Sequence, residues 1–140
     1  MITTAVRYHD ISCGHIVTNH KGSCKQLHGH NYRIYFFIKL KKETKEDMVI
    51  DFSEIKNKLC KWLDDNYDHR FLIWSKDTRA KQLKSIDNSV VITPFNPTAE
   101  NIARYLVEVI GKKLLNKKLI LYKCVVQETV KCSGVYEINS

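Results

Sequence analysis

The sequence contains no run of about eighteen apolar residues, so nothing in it reads as a membrane span. The stretch from Met1 to Tyr8 lacks the apolar core of a secretory signal, which points to a cytoplasmic protein. Proline and glycine are sparse, two and five among 140 residues, and no repeat, low-complexity tract or flexible linker divides the chain. Residues 1–140 therefore read as one domain, long enough for a real core and too short for two. No Cys-x-x-Cys pair occurs, and the five cysteines (Cys13, Cys24, Cys60, Cys124 and Cys132) are odd in number. An extracellular disulfide framework does not fit that pattern, whereas reduced thiols do.

Acidic residues are also short, 15 against 23 basic ones, for a formal charge of +8. Such an excess suits a polyanionic partner: nucleic acid, an anionic membrane surface or a small phosphorylated substrate. The cations are scattered, with Lys39, Lys41 and Lys42 in one group, Lys76, Arg79, Lys81 and Lys84 in another, and Lys112, Lys113, Lys117 and Lys118 in a third. Lysines in the last turn of a helix are already accounted for by the helix dipole. At 44% hydrophobic and 27% charged residues the chain is an ordinary globular one, which excludes wholesale disorder.

Residues 3–15 read as extended. From Asn31 to Lys41 the alternation is clear, with Tyr32, Ile34, Phe36, Ile38 and Leu40 on one face, the period of a half-buried strand. Met48 to Phe52 reads as another extended piece. Ser53 is the expected N-cap of a helix carrying Ile55, Leu59, Trp62 and Leu63. A basic loop is expected from Trp74 to about Asn88, then a short strand from Ser89 to Thr93. Pro97 and Thr98 open a second helix, Thr98 as N-cap, with the stripe Ile102, Ala103, Leu106, Val109, Ile110 and Leu114. Residues 119–128 form a strand with Ile120, Tyr122, Cys124 and Val126 on one face, and Gly134 to Ile138 returns beside it. Elements segregated in this way argue an α+β fold, an antiparallel sheet with helices on one face.

Chemistry concentrates at a few positions. On an extended strand His28 and His30 point to the face of Tyr32, and His15 joins them if the two first segments pair antiparallel. Three neutral imidazoles with an open fourth position describe a catalytic zinc site; surface histidines are the alternative. Cys24 lies in a polar segment between Lys21 and Lys25, and cationic neighbours favour a reactive thiol. Asp68-His69 is a possible proton-transfer pair, in which the carboxylate fixes the imidazole tautomer, provided the backbone turns there. Glu128 has the parity of Cys124 and Val126, so it either points into the apolar face, where a planar donor pair would satisfy it, or ends the strand in solvent.

Taken together, His15, Cys24-x-x-x-His28-Gly29-His30-Asn31-Tyr32, Met48-Val49-Ile50-Asp51-Phe52, Asp68-His69-Arg70, Pro97-Thr98-Ala99-Glu100-Asn101 and Glu128-Thr129 resemble the 6-pyruvoyl-tetrahydropterin synthase / 6-carboxytetrahydropterin synthase family. The resemblance implies a tunnelling fold, a four-stranded antiparallel sheet with two helices on one face, assembled into rings that are usually homohexamers with sites between subunits. It implies zinc held by His15, His28 and His30, Cys24 as catalytic thiolate, and Asp68 and His69 as its proton-transfer partners. Glu128 would anchor the pterin ring, and Thr98 and Glu100 would serve a neighbour's site. A cysteine four residues before the first histidine of His-Gly-His is similar to the carboxy branch of queuosine (7-deazapurine) biosynthesis. That branch is a lyase converting 7,8-dihydroneopterin triphosphate to 6-carboxy-5,6,7,8-tetrahydropterin with loss of acetaldehyde and triphosphate. The pyruvoyl-forming branch is the main rival. A basic zinc-containing nucleic-acid-binding module is the rival from another class. The segment from Trp74 to Asn88 is longer and more basic than the family pattern.

Overall fold

The computed structural model describes residues 2–139. Six strands form one mixed sheet: β1 (Ala5–His15), β2 (His28–Leu40), β3 (Arg70–Trp74), β4 (Val91–Thr93), β5 (Leu119–Thr129) and β6 (Cys132–Glu137), in the order β4-β3-β1-β2-β5-β6. The expected four-stranded antiparallel sheet is therefore only one side of it, β1-β2-β5-β6, running out to the β6 edge. Strands β3 and β4 extend it beyond β1, and both pairings on that side are parallel.

The long central strands follow their alternation. Tyr32, Ile34, Phe36 and Ile38 are each at most 1% exposed. They pack against two long helical segments on the same face of the sheet. The first, α1 (residues 52–66), contributes Ile55, Leu59 and Leu63 to the core. Its N-cap is Asp51, whose carboxylate accepts the Ser53 N–H at 2.8 Å. Ser53 loses that role because the helix starts earlier than expected, at Phe52, which leaves Ser53 inside the first turn, and residues 48–51 form no strand.

Between Arg79 and Asp87 the expected basic loop contains a short helix, α2 (Ala80–Ile86). It lies on the opposite face of the sheet. Leu72 enters the main core, whereas the next strand residue, Ile73, packs with Ile16, Ala80 and Val90. No helix among the described residues is long and apolar enough to cross a membrane.

The other long helical segment, α3 (residues 99–114), begins at the Thr98 cap, where Thr98 Oγ1 accepts the Asn101 N–H at 3.1 Å. A π-turn over Leu106–Gly111 rotates the register of its apolar stripe. Val107 is consequently buried, while Val109, expected inside, is 44% exposed. A bulge does the same on β5. Phe37 pairs with Lys123 and Ile38 with Leu121, so Tyr122 is the additional residue. Leu119 and Leu121 face the core before it, in place of the expected Ile120 and Tyr122, and Cys124 and Val126 after it.

Candidate functional site

Strands β1 and β2 pair antiparallel with His15 directly opposite His28 and Cys13 opposite His30. Cross-strand partners share a face, so the three imidazoles converge at the end of the ladder. One ring nitrogen from each lies within 4.8 Å of the others, a cluster able to hold a metal ion. The tautomers are set from outside. Carbonyl oxygens only accept, so His15 Nδ1–H donates to the Pro97 carbonyl at 2.7 Å and His28 Nδ1–H to the Gln26 carbonyl at 2.8 Å. Their Nε2 lone pairs are left for a ligand. His15 Nε2 and His30 Nε2 are buried with no hydrogen-bond partner among the described residues. Buried polar atoms are normally satisfied, and a cation among these lone pairs would satisfy them, so the donor set fits a metal. Burial also pushes the His15 imidazolium down to about 4, which keeps the ring neutral near neutral pH, the ligating form.

Glu128 points into this cluster, as its parity requires. Its Oε1 is 3.8 Å from His15 Nε2 and its Oε2 3.8 Å from His30 Nε2. Tyr32 completes the wall, its ring edge-on to His15 and His30 at 5.8 and 5.4 Å between centroids. Its hydroxyl is buried without a partner. Burial first, and then the Glu128 carboxylate, push the phenol well above its ordinary range, so it remains an O–H donor. Sequence reasoning placed Tyr32 on the histidine face but read it as a core residue. An aromatic with a polar tip beside three histidines was the available signal.

Cys24 sits half-buried in a short turn (Ser23–Lys25) of the β1–β2 connection, where its carbonyl accepts the Val17 N–H at 2.8 Å. Asn96 clamps that connection: its side chain accepts from Thr18 N at 3.0 Å and donates to Thr18 O at 2.9 Å. The next residue but one in the same loop is Thr98, so one segment holds His15, the connection and the helix start. Cys13, by contrast, is buried and its thiol is pushed up to about 12 by desolvation, and Cys124 is fully buried. Cys132 is exposed.

Asp68 and His69 form a pair, His69 Nδ1 lying 3.0 Å from Asp68 Oδ2. The backbone turn that neighbouring residues need is present: His69 has φ of 58°. Asp68 also accepts the Ser12 N–H at 2.9 Å, and these hydrogen bonds, opposed by desolvation, hold its carboxyl below the ordinary range. The His69 side chain is 81% exposed. It borders a cleft lined by Asp10, Ser12, Asn31, Arg33 and Gln127. By strand alternation Ser12 and Asn31 face away from His15 and His30. Within one chain, then, Asp68 and His69 stand on the other face of the sheet from the imidazole cluster. Thr98 uses its hydroxyl as a helix cap, and Glu100 is exposed in the first turn of α3.

A family model described as 6-pyruvoyl tetrahydropterin synthase matches residues 4–139. A Rickettsia typhi protein named 6-carboxy-5,6,7,8-tetrahydropterin synthase is 36% identical over 126 residues, 88% of this chain and 91% of that one. A Haemophilus influenzae protein of the same name is 35% identical over 99 residues, 66% of this chain and 70% of that one. Among solved structures, Caenorhabditis elegans 6-pyruvoyl tetrahydropterin synthase superposes with a TM-score of 0.70 at 25% identity, covering 99% of this chain and 97% of that one. An uncharacterised protein from Wolinella succinogenes shares the fold with a TM-score of 0.85 at 20% identity, covering 99% of each chain.

Proposed function

The chain belongs to the 6-pyruvoyl tetrahydropterin synthase family, and from that premise we propose that it is a zinc-dependent carbon–carbon lyase of the carboxy branch. It converts 7,8-dihydroneopterin triphosphate to 6-carboxy-5,6,7,8-tetrahydropterin, consuming water and releasing acetaldehyde and triphosphate, a step toward queuosine and other 7-deazapurines. The observation that carries the reading is the convergence of three imidazoles with two orphaned Nε2 atoms beside Glu128. The spacing Cys24-x-x-x-His28 and relatives named for the carboxy reaction favour that branch over the pyruvoyl one. Membership of an enzyme family leaves the nucleic-acid-binding alternative without support.

His15, His28 and His30 hold the zinc, which when bound supplies Lewis acidity toward the substrate's side-chain hydroxyls. The Pro97 and Gln26 carbonyls fix which nitrogens are offered to it. Glu128 accepts the paired N–H groups of the pterin edge, and the cost of placing its carboxylate at 25% exposure is offset by that bidentate contact. Cys24, four residues before His28, moves a proton between ring and side chain. His69 is the second proton carrier: Asp68 takes its Nδ1–H and leaves Nε2 free to exchange. Because that pair stands on the opposite sheet face, it serves the cluster of a neighbouring subunit in a ring, as do Thr98 and Glu100. The proposed assembly is a cytoplasmic homohexamer, in which such shared sites can form.

The test is an anaerobic incubation of zinc-loaded protein with 7,8-dihydroneopterin triphosphate, read by mass spectrometry. The proposal expects 6-carboxytetrahydropterin with stoichiometric acetaldehyde. Pyruvoyltetrahydropterin, or unreacted substrate, rejects it.

A further inference from the structure

Beside the imidazole cluster lies a second cleft, of about 720 Å³. One wall is the β1–β2 connection, with Thr18 and Lys25; the other is the turn after β3, with Trp74, Lys76, Asp77 and Arg79. Its floor is built. The Asp77 side chain is 2% exposed, and its Oδ1 accepts from Arg79 Nε and from the Arg79 backbone N–H, both at 2.9 Å. Its Oδ2 accepts from Arg79 Nη2 at 2.8 Å and from Thr18 Oγ1 at 2.9 Å. The one carboxylate lining the cleft is thus fully engaged by protein donors.

The same bonds fix the guanidinium. Arg79 also donates from Nη1 to the Lys25 carbonyl at 3.4 Å, tying the two walls together. A guanidinium has five N–H groups, and these contacts take one each from Nε, Nη1 and Nη2, so two remain. The side chain is 44% exposed, which leaves room for them to meet a ligand. Lys76 Nζ rests 5.5 Å from the centre of the Trp74 ring, and Lys25 is exposed on the facing wall. Three cations, one of them already ordered, face a cleft whose only carboxylate among the described residues is taken. Such an array fits an anion with several separate charged oxygens better than a single carboxylate. It also adjoins the imidazole cluster: Lys25 follows Cys24, and the Gln26 carbonyl holds His28. Gln26 and His28 are at most about 7 Å apart along the chain.

We propose that this cleft is a polyphosphate site, which receives the triphosphate of the substrate while the pterin lies at the imidazole cluster. The second half of that statement rests on the reading under Proposed function; the affinity for polyphosphate does not.

The experiment is calorimetric titration of the zinc-loaded protein with inorganic tripolyphosphate and, separately, with 7,8-dihydroneopterin, which carries no phosphate. Wild type is compared with Lys25→Ala/Lys76→Ala, which touches only exposed side chains, and with Arg79→Lys, which keeps the charge and removes the fork. Any chelation of zinc by the probe is common to all three proteins and cancels in the comparison. Tripolyphosphate should bind wild type and bind each variant about tenfold more weakly, with dihydroneopterin affinity unchanged. Equal tripolyphosphate binding by all three proteins, or none by wild type, overturns the site. Retained tripolyphosphate discrimination with no dihydroneopterin binding by wild type upholds the cleft and rejects the pterin reading instead.

Discussion

Acidification of the metal-free protein should expose the cost of burying His15. Its side chain is 1% exposed, and its folded-state value of about 4 lies below the 6.5 of a free imidazole. Desolvation is the leading cause, with His28 and His30 acting in the same direction and the Pro97 carbonyl opposing them. Between pH 6.5 and 4 the unfolded chain takes up a proton that the native chain refuses, so stability is complete above 6.5 and falls as pH drops toward 4. The full gap is worth about 3 kcal/mol, of which about 2 kcal/mol is lost between pH 7 and pH 4.5. The carboxylates held low, Asp10, Asp68 and Asp77 among them, act mostly below their ordinary 3.8 and leave this window to the histidine. Urea unfolding of chelator-treated protein at the two pH values measures the difference directly. His15→Leu should abolish most of it. An unchanged wild-type stability at pH 4.5, or an equal fall in His15→Leu, would show that His15 is not a buried neutral imidazole.

Other perturbations separate the parts of the site. Cys24→Ala should leave zinc content intact and lower turnover by about a hundredfold or more; activity near wild type with metal bound removes the thiol from the mechanism. His69→Asn and His69→Val should both lose turnover, but only the valine variant, forced into the left-handed region at φ 58°, should also lose about 1–2 kcal/mol of stability by urea unfolding. Equal stability of the two contradicts the strain argument. Gly134→Ala would put a Cβ 2.5 Å from Glu100 N and 2.7 Å from Ala99 C, both backbone atoms at the start of α3. It should cost about 1–3 kcal/mol and weaken metal binding through the displaced Pro97 carbonyl. Thermal melts and a zinc titration check both effects.

What the sequence revealed followed from strong local signals. The β2 alternation was long enough to place His28, His30 and Tyr32 on one face, and the antiparallel pairing brought His15 opposite His28. Thr98 was recognisable as a cap because Pro97 precedes it and an apolar stripe follows. Strand β3 left no such trace, since Leu72 and Ile73 enter cores on opposite faces and erase the alternation. Helix α2 was hidden because its seven residues bury only Ala80 and half-bury Leu83, so no periodic stripe exists. Bulges and π-turns escaped for a different reason: the Tyr122 bulge and the 106–111 π-turn each shift parity by one residue, and only the partner element reveals it. The second half of the candidate site was legible as the dipeptide Asp68-His69, but the face it occupies depends on the parallel docking of β3 beside β1.

The most direct measurement is metal stoichiometry by native mass spectrometry of the intact chain alongside His15→Leu, His28→Ala and His30→Ala. The account predicts one zinc per wild-type chain, lost from each of the three variants and retained by Cys24→Ala. A wild-type protein that takes up no zinc, or variants that keep it, would contradict the assignment of the imidazole cluster as the metal centre.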